Sequence, residues 1–190
     1  MRFLKFLLWS CFAVFCALLL SISGAFLYLS PNLPSVDSLR SIQLQIPLRV
    51  YSADEKLIAE FGEMRRSPIR FEDIPPEFIQ ALLAAEDDNF ANHYGVDITG
   101  LMRAATQLLK SGQIQTGGST ITMQVAKNYF LTSERSFSRK INEILLALQI
   151  ERELSKNEIL ELYVNKIYLG NRAYGIEAAS QVYYGKPISE

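Results

Sequence analysis

Apolar and polar positions divide the chain into an apolar N-terminal run, a short segment with period two and a long region of helical period. Residues 6–30 contain no charged side chain, and Arg2 and Lys5 precede them. A run of this length can span a bilayer as a helix, and its positive flank predicts a cytoplasmic N-terminus. The competing interpretation is a cleaved signal peptide, whose apolar core would be shorter. The pattern predicts a cytoplasmic tail at 1–5 and a single transmembrane signal-anchor helix at 6–30.

Period-two alternation follows this run. Alternate positions from 42 to 50 are apolar, and a polar turn at 52–56 separates them from an apolar stretch at 57–61. Such a pattern is typical of a β-hairpin, and a sheet of this size is not stable alone. We therefore expect a linker and small hairpin at 31–72, attached to a larger domain.

From residue 73 to the end, apolar residues recur at helical spacing, which predicts a mainly α-helical domain at 73–190. Pro75 and Pro76 suit the first turn of a helix that ends at Glu86. Ser155 and Glu158 have the spacing of a capping box. The further predicted helices cover about 97–110, 119–131, 136–153, 156–169 and 175–184.

Composition limits the function classes. The 190 residues are 49% hydrophobic and carry a formal net charge of −1. No overall field draws such a chain to nucleic acid, so any basic patch must be local. We expect one membrane segment and one compact domain, with no nucleic-acid partner.

Glu86 is the first candidate for chemistry. It lies three, four and seven residues after Leu83, Leu82 and Ile79, so a helix places all four on one face. A carboxylate in apolar surroundings ionises less easily, which suits an acid or base working near neutral pH. The alternative is an acidic helix end that solvates the loop after it. This stretch alone leaves both interpretations open.

The second candidate is the segment after Gly117 and Gly118. Thr120, Gln124 and Lys127 share one stripe of the predicted helix. Open amides at the helix start, a hydroxyl cap and a lysine can together bind an oxygen-rich anion such as phosphate. A capped amphipathic helix with a solvated polar face remains the alternative.

The third candidate is the helix that contains Arg139 and Glu143. Ile141 and Leu148 belong to one predicted apolar face, and further apolar residues lie behind the Arg139 and Glu143 side, so we expect a helix central to the core. A pair four residues apart is ordinarily a weak surface ion pair. On a buried helix it would instead form the wall of a site.

Five motifs in order resemble those of the peptidoglycan glycosyltransferases, which form the N-terminal half of bifunctional class A penicillin-binding proteins; the likeness is greatest to the 1A type. Met123 departs from the pattern, since many members have glutamine there. The motifs are Glu86-Asp87-x-x-Phe90-x-x-His93-x-Gly95, Gly118-Ser119-Thr120-Ile121-Thr122-x-Gln124-x-x-Lys127-Asn128, Arg139-Lys140-x-x-Glu143, Glu161-Leu162-Tyr163-x-Asn165-x-x-Tyr168-Leu169-Gly170 and Ala173-Tyr174-Gly175-Ile176-Glu177-Ala178-Ala179.

The resemblance implies a lysozyme-like helical lobe with a membrane-facing jaw. It also implies an inverting hexosyltransferase that polymerises lipid II into β-1,4 glycan and releases undecaprenyl pyrophosphate. Glu86 would be the general base and Glu143 a second catalytic carboxylate. The implied substrate-binding residues are Ser119, Thr120, Gln124, Lys127, Asn128, Arg139, Lys140 and Arg103.

The resemblance further allows a divalent cation, Mg²⁺ or Mn²⁺, at Glu86 and Asp87, and it implies no organic cofactor. The expected partners are lipid II, the growing lipid-linked glycan, the bacterial inner membrane, and cell-wall synthesis proteins or a second copy. The catalytic domain would lie in the periplasm. We expect the glycosyltransferase domain to be truncated at its C-terminus, and a longer parent to carry the penicillin-binding transpeptidase domain. No Ser-x-x-Lys motif occurs in these residues, so we do not expect them to bind penicillin.

Two other function classes stay open at the level of sequence. A glycan-cleaving enzyme of the same lysozyme-like class needs a catalytic glutamate but no pocket for pyrophosphate. A membrane-anchored scaffold would bind partners and release no lipid pyrophosphate.

Overall fold

A computed structural model describes the fold at residues 5–6, 9–10, 12–17, 20, 24, 33–41, 47–54, 57–62, 64–111, 118–132 and 136–190. Contacts divide the chain into the units Met1–Pro34 and Ser35–Glu190. Residues 12–17 of the first unit are helical. Most of the anchor predicted at 6–30 and the start of the predicted alternation at 42–46 lie outside the described residues. None of the helices in these ranges is both long and apolar enough to cross a membrane.

The second unit is mainly helical, as the periodicity predicted. Predicted and observed helix bounds agree within two residues, with one exception. The helix predicted at 156–169 ends at Lys166, because the chain turns there so that Leu169 N–H can reach Ala173 O. The capping box of Ser155 and Glu158 is confirmed. The helices are α1 (Pro76–Glu86), α2 (Ile98–Ser111), α3 (Ile121–Phe130), α4 (Phe137–Glu153), α5 (Lys156–Lys166) and α6 (Ile176–Tyr184), with 3₁₀ turns at Val36–Ser41 and Phe71–Asp73.

Two small strand pairs accompany the helices. The predicted hairpin is confirmed, with β1 (Leu48–Tyr51) antiparallel to β2 (Leu57–Phe61). A second pair, β3 (Arg65–Arg66) and β4 (Ala173–Tyr174), is parallel and joins segments more than a hundred residues apart. Strands of two residues have no detectable period, so the sequence pattern did not predict this pair.

Helix α3 lies at the centre of the core, packed against α4 and α5. Its Ile121, Met123 and Val125 side chains are fully buried. The apolar face predicted for α4 is only partly covered, since Ile144 and Leu145 are half-buried while Ile141 and Leu148 are about 40% exposed. The opposite face is buried, because α3 packs against that side; its residues are Glu143, Leu146, Ala147 and Ile150.

Side chains of α5 fasten the segment before α1 to the helical unit. The Asn165 amide accepts from Ile69 N–H at 2.9 Å and donates to Ile69 O at 2.8 Å. The Glu161 carboxylate accepts from Phe71 N–H at 2.8 Å. These bonds satisfy backbone groups that have no sheet or helix partner, and they fix the path by which the chain enters α1.

Gly95 and Gly185 provide a test of backbone constraints. Both have positive φ, but a Cβ at Gly95 would lie 2.6 Å from Ala147 O, whereas a Cβ at Gly185 would meet nothing within 4 Å. We expect Gly185→Ala to lower the free energy of unfolding by about 1 kcal/mol, the cost of left-handed backbone alone. Gly95→Ala should lower it by at least about 2 kcal/mol more, because α4 backbone must move. Urea unfolding of both variants checks this, and equal losses would contradict the packing described here.

Candidate functional site

A buried aspartate joins the loop after α1 to the start of α3. His93 Nε2 lies 3.0 Å from both carboxylate oxygens of Asp87, and Ile121 N–H donates to Asp87 Oδ2 at 2.9 Å. Because Gly95 N–H donates to His93 Nδ1, the proton of a neutral His93 ring lies on Nε2 and faces Asp87. Asp87 therefore holds three segments together.

Thr120 caps α3 and is itself buried. Its hydroxyl accepts from Met123 N–H at 3.1 Å and donates to Gly95 O at 2.6 Å. The amides of Ile121 and Met123 are therefore already bonded, and the expectation of open amides at this helix start is wrong for both. An anion bound nearby would depend on cationic side chains.

Glu86 is exposed at the last position of α1, a helix with no buried residue. The expectation that its carboxylate lies in apolar surroundings is therefore wrong, because no apolar side chain of the described residues buries Glu86. One oxygen is nevertheless oriented, since Gln124 Nε2 on α3 donates to Glu86 Oε2 at 2.9 Å. Glu86 is a solvent-accessible carboxylate held by a single bond from the neighbouring helix.

A cleft of about 500 Å³ lies beside α3 and α4. Arg139 Nη1 and Lys140 Nζ bond to Glu143 at 2.5 and 2.9 Å, and Lys140 Nζ also donates to Ser119 Oγ at 2.7 Å. Glu143 is only 3% exposed, so the interpretation as a surface ion pair is wrong. The cleft is lined by Ser119, Met123, Gln124, Lys127, Asn128, Leu131, Thr132, Arg139, Lys140 and Glu143.

This cleft has an excess of two positive charges, because three cations face one carboxylate. Arg139 and Lys140 are partly neutralised by Glu143. Within the described part of the chain, the side-chain ammonium of Lys127 has neither a hydrogen bond nor an ion pair, and its backbone carbonyl accepts from Leu131 N–H. We call this surface the cationic cleft, and Lys127 is its cation open to an anionic ligand.

A second cleft, of about 400 Å³, has the opposite charge, and we call it the acidic cleft. The hydroxyl of Thr99 lowers the pKa of Asp97, helped by the amides of Gly100 and Thr99, so this side chain stays ionised. Ser119 belongs to both clefts. The acidic cleft is lined by Ala84, Ala85, Glu86, Asp87, Asp88, Asp97, Gly100, Arg103, Gly118, Ser119 and Thr120.

The structure thus brings together most of the residues that the sequence singled out, in two adjoining groups. Lys127, Asn128, Arg139, Lys140 and Glu143 line the cationic cleft, while Glu86, Asp87, Arg103 and Thr120 line the acidic one. Arg103 is therefore separated from the other predicted cations. Ser119 lines both clefts, and Gln124 connects them through its bond to Glu86.

The acidic cleft fits a divalent cation poorly. Both oxygens of Asp87 already face donors, from His93 and Ile121. In the described ranges, no three His, Cys, Asp or Glu side chains are grouped as a metal site. Glu86 offers one oxygen without a protein donor among these residues, so Mg²⁺ or Mn²⁺ bound there would take most of its ligands from water and substrate.

Tyr163 is a neighbour of this site that the sequence reasoning did not single out. It is buried on α5, and its hydroxyl lies 3.4 Å from Gln124 Oε1. Burial raises the pKa of Tyr163 to about 12, with a further contribution from the negative charge of Glu86. Its position in the Glu161-Leu162-Tyr163 motif was the available signal, but an aromatic at helical spacing is ordinarily a core residue.

Comparison with known proteins places these residues in a family. A family model described as Transglycosylase matches residues 54–190. Penicillin-binding protein 1A of Pseudomonas aeruginosa is 80% identical over 190 residues, which are 100% of this chain and 23% of that protein. Penicillin-binding protein 1A of Escherichia coli is 52% identical over 192 residues, covering 100% of this chain and 22% of that protein. The chain spans less than a quarter of the length of these relatives.

A crystal structure of penicillin-binding protein 1A from Haemophilus influenzae aligns with 78% of this chain and 13% of that one, at 30% identity. Its TM-score of 0.33 is too low to support a structural argument. The sequence relatives confirm the likeness to the 1A type. The family model covers well over half of the residues of this chain, and the chain therefore belongs to the transglycosylase family.

Proposed function

We propose that this chain is a peptidoglycan glycosyltransferase that polymerises lipid II into β-1,4 glycan strands during bacterial cell-wall synthesis. The observation that carries the proposal is the meeting of the two clefts. An oriented, accessible carboxylate, Glu86, lies next to a cleft with excess positive charge, and Gln124 and Ser119 connect the two. This combination suits a reaction that needs a base on one side and a departing anion on the other.

On the acceptor side, Glu86 would remove the proton of the attacking sugar hydroxyl. The oxygen then forms a bond to the anomeric carbon of the donor as the bond from that carbon to pyrophosphate breaks, which inverts the configuration. The Gln124 N–H supports this role because it orients the base without blocking its second oxygen. The exposure of Glu86 leaves room for a sugar to approach.

On the donor side, the cationic cleft would hold the pyrophosphate of undecaprenyl pyrophosphate as it leaves. Lys127 would contact it directly, with Arg139, Lys140 and Asn128 beside it. Glu143 would act through these cations, since its two oxygens already accept from Arg139 and Lys140. Charge placed in advance where negative charge develops is the main way that such a site lowers a barrier.

The same proposal places the domain at the periplasmic face of the inner membrane, with the anchor at 6–30 and a cytoplasmic N-terminus. The exposed apolar side chains of α2, which are Ile98, Met102 and Leu109, support a lipid-facing jaw. A Mg²⁺ or Mn²⁺ requirement, cell-wall synthesis partners, a second copy and a downstream transpeptidase domain stay predictions from the resemblance.

Glu86→Gln tests the base directly. It preserves size and removes the proton acceptor, so we expect glycan synthesis from lipid II to fall by about 100-fold or more. Circular dichroism and the melting temperature should match the wild type. Glu77→Gln, on the same helix and also exposed, is the control and should retain activity. A Glu86→Gln protein that elongates glycan at a near wild-type rate would show that Glu86 is not the general base.

Lys127→Ala tests the cationic cleft. We expect kcat/KM for lipid II to fall about tenfold or more, because the open cation is lost where the leaving group carries charge. The melting temperature should change by less than about 2 °C, because the Lys127 ammonium makes no hydrogen bond or ion pair with the described residues. Lys186→Ala removes an exposed lysine elsewhere and serves as the control. A large fall in melting temperature with unchanged turnover would show that Lys127 serves packing instead.

A further inference from the structure

Gln124 connects the carboxylate of Glu86 to the hydroxyl of Tyr163. Its Nε2 lies 2.9 Å from Glu86 Oε2, and its Oε1 lies 3.4 Å from Tyr163 Oη. The three residues come from α1, α3 and α5, which are separate in sequence. The chain of contacts therefore runs from the core of the domain to an exposed carboxylate in the acidic cleft.

The donor and acceptor roles in this series of hydrogen bonds depend on how the Gln124 side-chain amide is oriented. With Nε2 toward Glu86, a donor faces an ionised acceptor; with Oε1 there, two acceptors would repel each other. By itself, the bond to Glu86 fixes the orientation of the Gln124 amide only weakly, because Glu86 is exposed and water can replace the amide. A buried group at the other end of the amide can fix its orientation more firmly.

Tyr163 has the properties of such a group. Its side chain is 4% exposed on a helix packed against α3, so its position is set by the core. Its pKa of about 12 keeps the hydroxyl protonated at neutral pH, so a donor is always present. The 3.4 Å separation is long for an O–H···O bond. Long catalytic hydrogen bonds of this kind often shorten when substrate binds.

We propose that Tyr163 is a positioning residue for the reaction, whose hydroxyl holds the Gln124 amide with its N–H directed at Glu86. This role rests on the proposed function, in which Glu86 is the base. Tyr163 need not touch the reacting atoms. It acts through Gln124, and it determines whether the base receives the N–H donor that orients its carboxylate.

Tyr163→Phe removes this hydroxyl and keeps the ring. Tyr129→Phe is the control, because Tyr129 is half-buried, also has a pKa of about 12, and donates to Leu162 O instead. Both variants are made in the full chain, and their melting temperatures are compared with the wild type. The Gln124 side-chain amide is followed by ¹⁵N NMR and assigned by its disappearance in Gln124→Ala.

In Tyr163→Phe we expect the two Nε2 proton resonances of Gln124 to move toward the positions of a free amide, while Tyr129→Phe leaves them unchanged. With lipid II, kcat should fall by about 2- to 12-fold, the range for one neutral hydrogen bond, with KM changed less than about twofold. A purely structural tyrosine would leave the Gln124 resonances where they are in the wild type.

A double-mutant cycle completes the test. In a Gln124→Ala background, adding Tyr163→Phe should have no further effect on kcat. Unchanged Gln124 resonances in Tyr163→Phe would overturn the proposal, and so would full additivity in the cycle. If the resonances move as expected but the wild-type chain does not polymerise lipid II, Tyr163 positions Gln124 and the proposed function is wrong.

Discussion

The site depends on the buried carboxylate of Asp87. It accepts from the His93 ring and from the first amide of α3, and so joins the end of α1, the following loop and the central helix. An ionised group in such a position must have its donors, since leaving it unpaired would cost several kcal/mol. Because Glu86 precedes Asp87 directly, this constraint also places Glu86 beside Gln124. One residue anchors the loop, and its neighbour is available for chemistry.

The two clefts that meet beside α3 carry opposite charges. The end of α1, the start of α2 and the residues just before α3 form the acidic cleft, and the α4 cations with Lys127 form the cationic one. Lys140 of α4 bonds both to Ser119, just before α3, and to Glu143 of its own helix. Glu143 gains its role from its partners, since a carboxylate that is buried and doubly bonded is better suited to hold cations than to exchange a proton.

Local patterns predicted the elements well, and tertiary contacts decided the rest. The capping box of Ser155 and Glu158 and the i, i+4 pair of Arg139 and Glu143 depend only on spacing within one helix, so the sequence was sufficient. The exposure of Glu86 depends on which element covers α1, and no pattern within α1 contains that information. The same holds for the buried face of α4, which α3 selects from two apolar faces, and for the contact of Tyr163 with Gln124 across two helices.

We propose that Glu86, as the base, and the cationic cleft, which holds the leaving group, form one polymerising site, whereas a glycan-cleaving site has no use for the cations. Incubating the chain separately with lipid II and with finished glycan strands tests it most directly, with products analysed by chromatography and mass spectrometry. If the two clefts form a polymerising site, lipid II is converted to β-1,4 glycan with release of undecaprenyl pyrophosphate, and finished strands stay intact. Cleavage of finished strands without consumption of lipid II would contradict it.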